Sequence, residues 1–128
     1  MIVARDGRIE VQLAAGRIAD SVLRRIVGAV AAQGELPIDR IHDATLITDA
    51  VLGALATDRV TAVLTPHERG IEVAVGPLEE GEGLRILNAA ELPEVGSVIH
   101  RLSDRVWIDA DRGVHEYLCF VVGTSDPR

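Results

Sequence analysis

Residues 38–55 read IDRIHDATLITDAVLGAL, a pattern that predicts one amphipathic helix. Asp49 and Gly53 lie in the C-terminal half of this segment, four residues apart. That spacing places both on one face of the helix, one turn apart. A glycine inside a helix costs about 1 kcal/mol relative to alanine, so Gly53 needs a reason, and close packing is one.

The rest of the chain shows helix and strand periodicities in short blocks. Residues 8–13 alternate apolar and polar side chains as a half-buried strand does, and residues 2–4 are expected to extend that strand. Further helices are expected over 19–33 and 95–102, with a short helix or lid over 84–90. The other predicted strands are 59–65, 70–75, 106–110 and 114–122, the last two joined through 111–113, and residues 76–83 have the composition of a loop.

The order of these elements predicts the fold class. Strands joined by hairpin-length connections indicate a largely antiparallel sheet. Helices that each carry one apolar stripe indicate a single layer of helices on one face of that sheet. We therefore expect an α+β protein, a two-layer α/β sandwich with a mostly antiparallel mixed sheet. A single domain is expected over residues 1–123, with a polar, frayed tail over 124–128.

Composition narrows the function classes. The chain has 128 residues, 48% hydrophobic side chains and a formal net charge of −7, which argues against a nucleic-acid or anionic-membrane surface. The sequence contains no apolar run of the roughly 18 residues that a membrane span needs. All 13 basic residues are arginine, so lysine nucleophiles and P-loop lysines are excluded. We expect a cytoplasmic protein without nucleic-acid or membrane partners.

The segment around Asp49 resembles the first nucleotide-binding helix of the GHKL ATPase superfamily, which has the Bergerat fold. The element order over roughly residues 8–122 is similar to that of the small anti-sigma-factor serine kinases of this group, and residues 98–106, VIHRLSDRV, fit the family's helix ending in L-x-D before a strand. In the family a glutamate acts as base and an asparagine one turn later holds magnesium. The resemblance places Asp49 at the base and Gly53 at the magnesium ligand.

The resemblance also implies that the first two nucleotide boxes are damaged. The side chain of Gly53 offers no oxygen ligand to magnesium. Aspartate is one methylene shorter than glutamate, so Asp49 is expected to be a vestigial base. The second family box is an adenine-reading aspartate followed by a glycine-rich stretch. Gly76 stands where that aspartate would be, and Gly81 and Gly83 stand for the surviving glycines.

The third family box, G-x-G-L, presents backbone N–H groups to phosphate. An ungapped fit places Pro93 and Val95 at its two glycines, with Gly96 one residue late, and a one-residue gap would recover one glycine. Proline has no N–H to donate. The three glutamates within residues 79–82 would also repel a triphosphate unless a metal intervened.

Three functions remain open. The first is a regulatory protein-binding module that resembles an anti-sigma factor, has impaired or lost ATP binding, and holds a sigma factor or an anti-sigma antagonist. The second is an active ATP-dependent protein serine kinase of that type, with ATP and magnesium as cofactors. The third is a structural homodimeric subunit. Under the first function no cofactor and no metal are expected, and family members of this size often form homodimers.

The remaining polar and aromatic residues show no catalytic pattern. No two of the four histidines have metal-ligand spacing on one element. Cys119 stands among apolar neighbours in the last predicted strand and is expected to be buried and inert. Trp107 shares a strand face with Arg105 and Asp109, so it is either an edge of the core or an exposed interaction anchor.

Overall fold

A computed structural model describes residues 1–55, 58–88, 93–110 and 115–124, without the side chains of residues 93–97. The predicted turn over 111–113 and the tail beyond Thr124 lie outside this range. The strands are β1 (Ile2–Arg5), β2 (Arg8–Ala14), β3 (Arg59–His67), β4 (Gly70–Leu78), β5 (Arg105–Asp109) and β6 (Glu116–Gly123). The helices are α1 (Arg17–Gln33), α2 (Ile38–Ala54), α3 (Glu82–Asn88) and α4 (Pro93–Leu102).

The six strands form one sheet in the order β1-β2-β3-β4-β6-β5. Every pairing between these described strands is antiparallel, and the helices pack on one face. The predicted two-layer α+β sandwich is therefore confirmed, with a sheet that is antiparallel where a mixed one was expected. None of the helices in the described part of the chain is both long and apolar enough to cross a membrane.

β1 is a separate strand, so the expectation that residues 2–4 extend β2 is wrong. Asp6 and Gly7 have positive φ angles of 53° and 76°, which reverse the chain in a tight turn. β1 then pairs antiparallel with β2, with Ile2 opposite Val11. Aspartate followed by glycine is a strong local signal for a two-residue hairpin, so residues 6–7 carry the information that separates the two strands.

The main core lies between the sheet and the helices. Strand residues at alternate positions point into it, because successive side chains of a strand face opposite sides of the sheet. Helix residues at three- and four-residue spacing complete it. The most deeply buried members are Val11, Leu23, Val27, Ala31, Ala44, Ile47, Val51, Leu64, Ile71, Val73, Val75, Leu78, Ile86, Ile99, Leu118, Phe120 and Val122.

Residues 76–83 were expected to form one loop, and this expectation is wrong. β4 continues through Gly76 to the fully buried Leu78, and α3 begins at Glu82. The pairing of β4 with β6 changes register between Val75 and Leu78. Glycine and proline are tolerated where a ladder is interrupted in this way, so a loop-like composition is compatible with a strand here.

A buried arginine joins α2 to the end of the sheet. Arg40 is only 2% exposed, and its guanidinium donates to carboxylate oxygens of Asp43 at 2.9 Å and of Asp104 at 2.7 Å. The same guanidinium donates to the backbone carbonyls of Leu102 at 3.0 Å and Gly123 at 2.9 Å. Asp104 also accepts a hydrogen bond from the backbone N–H of Gly123 at 2.7 Å. One side chain thus connects the first turn of α2, the end of α4 and the end of β6.

The sequence contains a signal for this arginine. Arg40 precedes Ala44, Ile47 and Val51 at helical spacing, and those three residues are fully buried. An arginine therefore stands on the apolar stripe of α2, where an apolar side chain is expected. A charged residue on that stripe predicts that its partner is also buried. The position of the residue along the helix does not identify that partner.

We expect Arg40→Ala to lower the free energy of unfolding by about 3–5 kcal/mol, because it leaves a buried carboxylate and two carbonyls without the guanidinium. Arg40→Lys should recover only part of this loss, since an ammonium group lacks the planar fork. Urea unfolding followed by circular dichroism measures both. The exposed Arg101→Ala is the control and should change stability by less than about 0.5 kcal/mol. Equal effects at positions 40 and 101 would contradict this role for Arg40.

Candidate functional site

The positions assigned to the first two nucleotide boxes lie on or beside α2, β4 and α3. Asp49 and Gly53 lie on α2, and Gly76 lies in β4. Gly81 immediately precedes α3, and Gly83 lies in the first turn of that helix. The contacts around each of these five residues show whether a ligand could reach it.

Asp49 is engaged by α1. Its Oδ2 atom lies 3.2 Å from Nη1 of Arg24, and the two side chains are 37% and 50% exposed. An ion pair this exposed contributes little to stability. It nevertheless occupies the carboxylate that the resemblance assigns as a base, and a general base must reach the proton that it abstracts. The packing of α1 on α2 therefore gives Asp49 a charged partner within the chain.

Gly53 is exposed, and a Cβ atom built on it would have nothing within 4 Å. Close packing, one of the reasons considered for a glycine in this helix, is therefore absent at this position. A side chain added here would extend into open space.

Gly76 is closed off by the neighbouring strand. A Cβ atom at this position would lie 2.9 Å from the Tyr117 ring and 3.0 Å from the backbone oxygen of Glu116. The family's adenine-reading aspartate would need to place a whole carboxymethyl group where the ring already lies. The glycine at this position is thus explained by the close approach of β4 and β6.

The two glycines around the start of α3 have different structural reasons. Gly81 has a φ of +86°, a conformation that side chains disfavour. Gly83 is buried, and a Cβ atom there would lie 2.5 Å from Cδ1 of Ile108. Its backbone N–H donates to Oε1 of Glu116 at 2.9 Å. A carboxylate of this chain therefore already accepts a hydrogen bond from one of the two surviving glycines of the second box.

The connection between β4 and α3 carries an acidic depression of about 440 Å³. Glu82 lies at 3.7 Å from Nη2 of Arg85 and accepts a hydrogen bond from the backbone N–H of Glu79 at 3.1 Å. Three carboxylates and one guanidinium favour cations over a triphosphate. Within the described residues, no group of three or more His, Cys, Asp or Glu side chains is arranged to hold a metal ion. The depression is lined by Glu79, Glu80, Gly81, Glu82 and Arg85.

The third family box falls at the start of α4. This helix begins at Pro93, two residues before the expected start, and proline is favoured in the first turn of a helix. Val95 and Gly96 follow within the same turn, in the part of α4 whose side chains are not described.

The sequence pattern offers no local signal for three neighbours of these positions. Arg24 reads as an outward-facing residue of α1, and only the packing of α1 on α2 brings it to Asp49 across 25 residues. Glu116 meets Gly83 across 33 residues. Tyr117 covers Gly76 because β6 pairs with β4. All three contacts depend on tertiary structure.

Neither a scan against protein-family models nor a search of the curated proteins found a match for this chain. The class that the structure defines is an α+β two-layer sandwich with a six-stranded antiparallel sheet. Membership of the GHKL superfamily remains a hypothesis based on the sequence motifs.

We expect Gly53→Ala to raise the free energy of unfolding by up to about 0.5 kcal/mol, because alanine is the better helix former and position 53 lies in the last turn of α2. Gly81→Ala is the matched comparison, since it also adds a methyl group in open space but at positive φ. It should lower stability by about 1 kcal/mol. Chemical denaturation of the two variants measures the difference. A loss of stability in Gly53→Ala would indicate a constraint at this position that the structure does not contain.

Gly76→Asp should destabilise the protein by about 2 kcal/mol or more, because its Cβ atom would overlap the Tyr117 ring and a backbone oxygen. Gly53→Asp, which places the same side chain in open space, is the control and should have a much smaller effect. The difference between the melting temperatures of the two variants measures this effect. If Gly76→Asp melts as the wild type does, the contact between β4 and Tyr117 is looser than described.

Proposed function

We propose that this chain is a regulatory protein-binding module of the anti-sigma-factor type that no longer turns over ATP. The observation that carries the proposal is the hydrogen bond between the Gly83 N–H and the Glu116 carboxylate, 2.9 Å long. A carboxylate of the protein thus holds the N–H group of a glycine that the resemblance assigns to the second nucleotide box.

Electrostatics support the loss of nucleotide binding. A helix N-terminus binds phosphate through free backbone N–H groups and its positive dipole end. In α3 an N–H group of the first turn donates to Glu116, and the depression before this helix is lined by glutamates 79, 80 and 82 together with Arg85. An incoming triphosphate would meet these carboxylates at short range, where like charges repel strongly.

The positions assigned to catalysis also support a loss of ATP turnover. Asp49 is paired with Arg24, and Gly53 supplies no oxygen for magnesium. Phosphoryl transfer depends on a metal that neutralises the charge on the phosphates and on a placed base. A site with no side-chain ligand for magnesium at position 53 and with its base paired to Arg24 is better suited to binding a protein than to transferring a phosphoryl group.

The class of partner follows from the resemblance. Small regulators of the anti-sigma-factor type hold a sigma factor or an anti-sigma antagonist, and the net charge of −7 disfavours nucleic acid and anionic membranes as alternatives. An active protein serine kinase is the function that the following experiments must exclude.

Calorimetric titration with ATP and magnesium tests the loss of nucleotide binding. We expect no binding by the wild type up to about 1 mM ATP, the weak end of measurable affinities. Gly53→Asn restores the family's magnesium ligand in open space, and Gly53→Ala is its matched control. Both should fold and neither should bind ATP, because Gly76 and Gly83 remain closed. Magnesium-dependent ATP binding by the wild type, or its gain through Gly53→Asn alone, would sink the proposal.

Co-expression of the tagged chain with the sigma factors and antagonists of its own genome tests the partner class. We expect one of them to co-purify, with an affinity that ATP changes by less than about twofold, since a ligand that does not bind cannot shift an equilibrium. Phosphorylation of an antagonist serine would show an active kinase instead. Failure of every sigma factor and antagonist to bind would refute this class of partner.

A further inference from the structure

The turn end of the β1–β2 hairpin places two arginines side by side. Arg5 and Arg8 flank the Asp6-Gly7 turn and lie directly opposite each other in the strand register. Side chains at directly opposite positions point to the same face of the sheet, with Cβ atoms roughly 4.5–5.5 Å apart. Like charges in such a pair destabilise a hairpin, so an anion bound between the two guanidinium groups would relieve their repulsion.

The protein itself supplies no such anion within the residues that the structure describes. Both arginines are exposed, and neither makes a hydrogen bond or an ion pair there. Arg24 and Arg40, by contrast, are each bonded to a carboxylate. Asp6 and Glu10 are close in the sequence, yet neither carboxylate lies within ion-pair distance of the two arginines. The pair therefore presents two free guanidinium groups to the solvent.

The two arginines stand at one end of a depression on the open face of the sheet, which is the face opposite the helices. Val63 belongs to a small apolar cluster on that face, and the register places Glu10 beside Val63 and Val3 beside Glu10. Arg5 and Arg8 lie two positions further along β1 and β2, so they point to the same side. The depression has a volume of about 240 Å³ and is lined by Val3, Arg5, Asp6, Arg8, Glu10 and Val63.

We propose that this depression binds a phosphomonoester through Arg5 and Arg8. Each guanidinium presents a planar fork of N–H donors that matches the oxygens of a phosphoryl group. At neutral pH a phosphomonoester carries a charge of about −1.5 to −2, which balances the two positive charges. A carboxylate carries a single negative charge and would leave one arginine without compensation. The charge of the arginine pair thus selects the phosphoryl group.

The other lining residues define what is attached to the phosphoryl group. Val3 is half-buried and Val63 is buried, and together they form an apolar floor that suits the carbon chain of an ester. Asp6 and Glu10 add two negative charges to the rim, which disfavour a polyphosphate or a nucleic-acid backbone by repulsion. A ligand with one phosphoryl group and a short apolar attachment meets both conditions. The candidate positions on α2 and α3 lie on the other side of the sheet, so the inference does not depend on the proposed function.

An NMR titration of the full, isotope-labelled chain tests the proposal with a short peptide that carries phosphoserine between two valines. We expect a Kd of about 1 mM, with the largest amide shifts within residues 3–10. The peptide with glutamate in place of phosphoserine should bind at least about tenfold more weakly, because it offers fewer charge-assisted hydrogen bonds. Inorganic phosphate separates two sources of the ligand. Equal affinity for phosphate and phosphopeptide would assign the site to the free anion, and tighter binding of the phosphopeptide would assign it to a phosphorylated side chain, and either result supports the site.

Charge variants test the assignment to these residues. Arg5→Gln and Arg8→Gln should each weaken phosphopeptide binding by about tenfold or more, because each removes charge-assisted hydrogen bonds. Arg25→Gln makes the same change at an exposed position of α1. It is the matched control and should leave the affinity unchanged. Glu10→Gln should strengthen binding by about threefold, because it removes a like charge from the rim.

Three results would overturn the proposal. The first is the absence of binding by both the phosphopeptide and inorganic phosphate up to about 10 mM. The second is an equal affinity for the phosphoserine and glutamate peptides. The third is a loss of binding in Arg25→Gln as large as the loss in Arg5→Gln, since that would show attraction by the overall charge and no defined site. These arginines are exposed, so the variants are expected to fold, and their circular dichroism spectra verify this before the affinities are compared.

Discussion

The guanidinium of Arg40 fixes α2 against the end of the sheet, and the rest of the helical layer is placed relative to α2. Its partners are Asp43 on the same helix, Asp104 immediately before β5, and carbonyls at the ends of α4 and β6. A buried ion pair of this kind is weak evidence for added stability, because desolvation offsets much of the attraction. We infer that its main effect is to select one arrangement of α2 against α4 and β6, since few other positions satisfy every donor.

This arrangement explains why the predicted nucleotide positions are engaged. With α2 in place, α1 packs along it and brings Arg24 to Asp49. On the sheet side, the pairing of β4 with β6 places Tyr117 over Gly76, and Glu116 reaches the N–H of Gly83. The three glycines that the resemblance assigns to the second nucleotide box thus have structural reasons of their own: a turn at Gly81 and close approaches at Gly76 and Gly83. Gly53 is different, since neither a close contact nor its backbone conformation requires a glycine there.

The two faces of the sheet have different chemistry. One is covered by helices and holds the main core, while the other carries the cluster of Val63, Ala74 and Cys119 beside Trp107. Trp107 therefore belongs to this second face, outside the main core. A chain with 2% aromatic residues has placed both its tryptophan and its tyrosine there.

Periodicity along the chain was sufficient for the α+β class, for α1, α2 and α4, and for most of the strands, because helices and strands follow from the spacing of neighbouring apolar residues. The Asp6-Gly7 turn and the arginine on the apolar stripe of α2 also have signals in the local sequence. The local sequence gives no signal for the partners of Arg40, Asp49 and Gly83. Arg40 meets Gly123 across 83 residues, and no spacing rule connects such positions. Those contacts, and with them the state of the candidate site, arise only when the strand order β4-β6-β5 and the packing of α1 on α2 bring distant residues together.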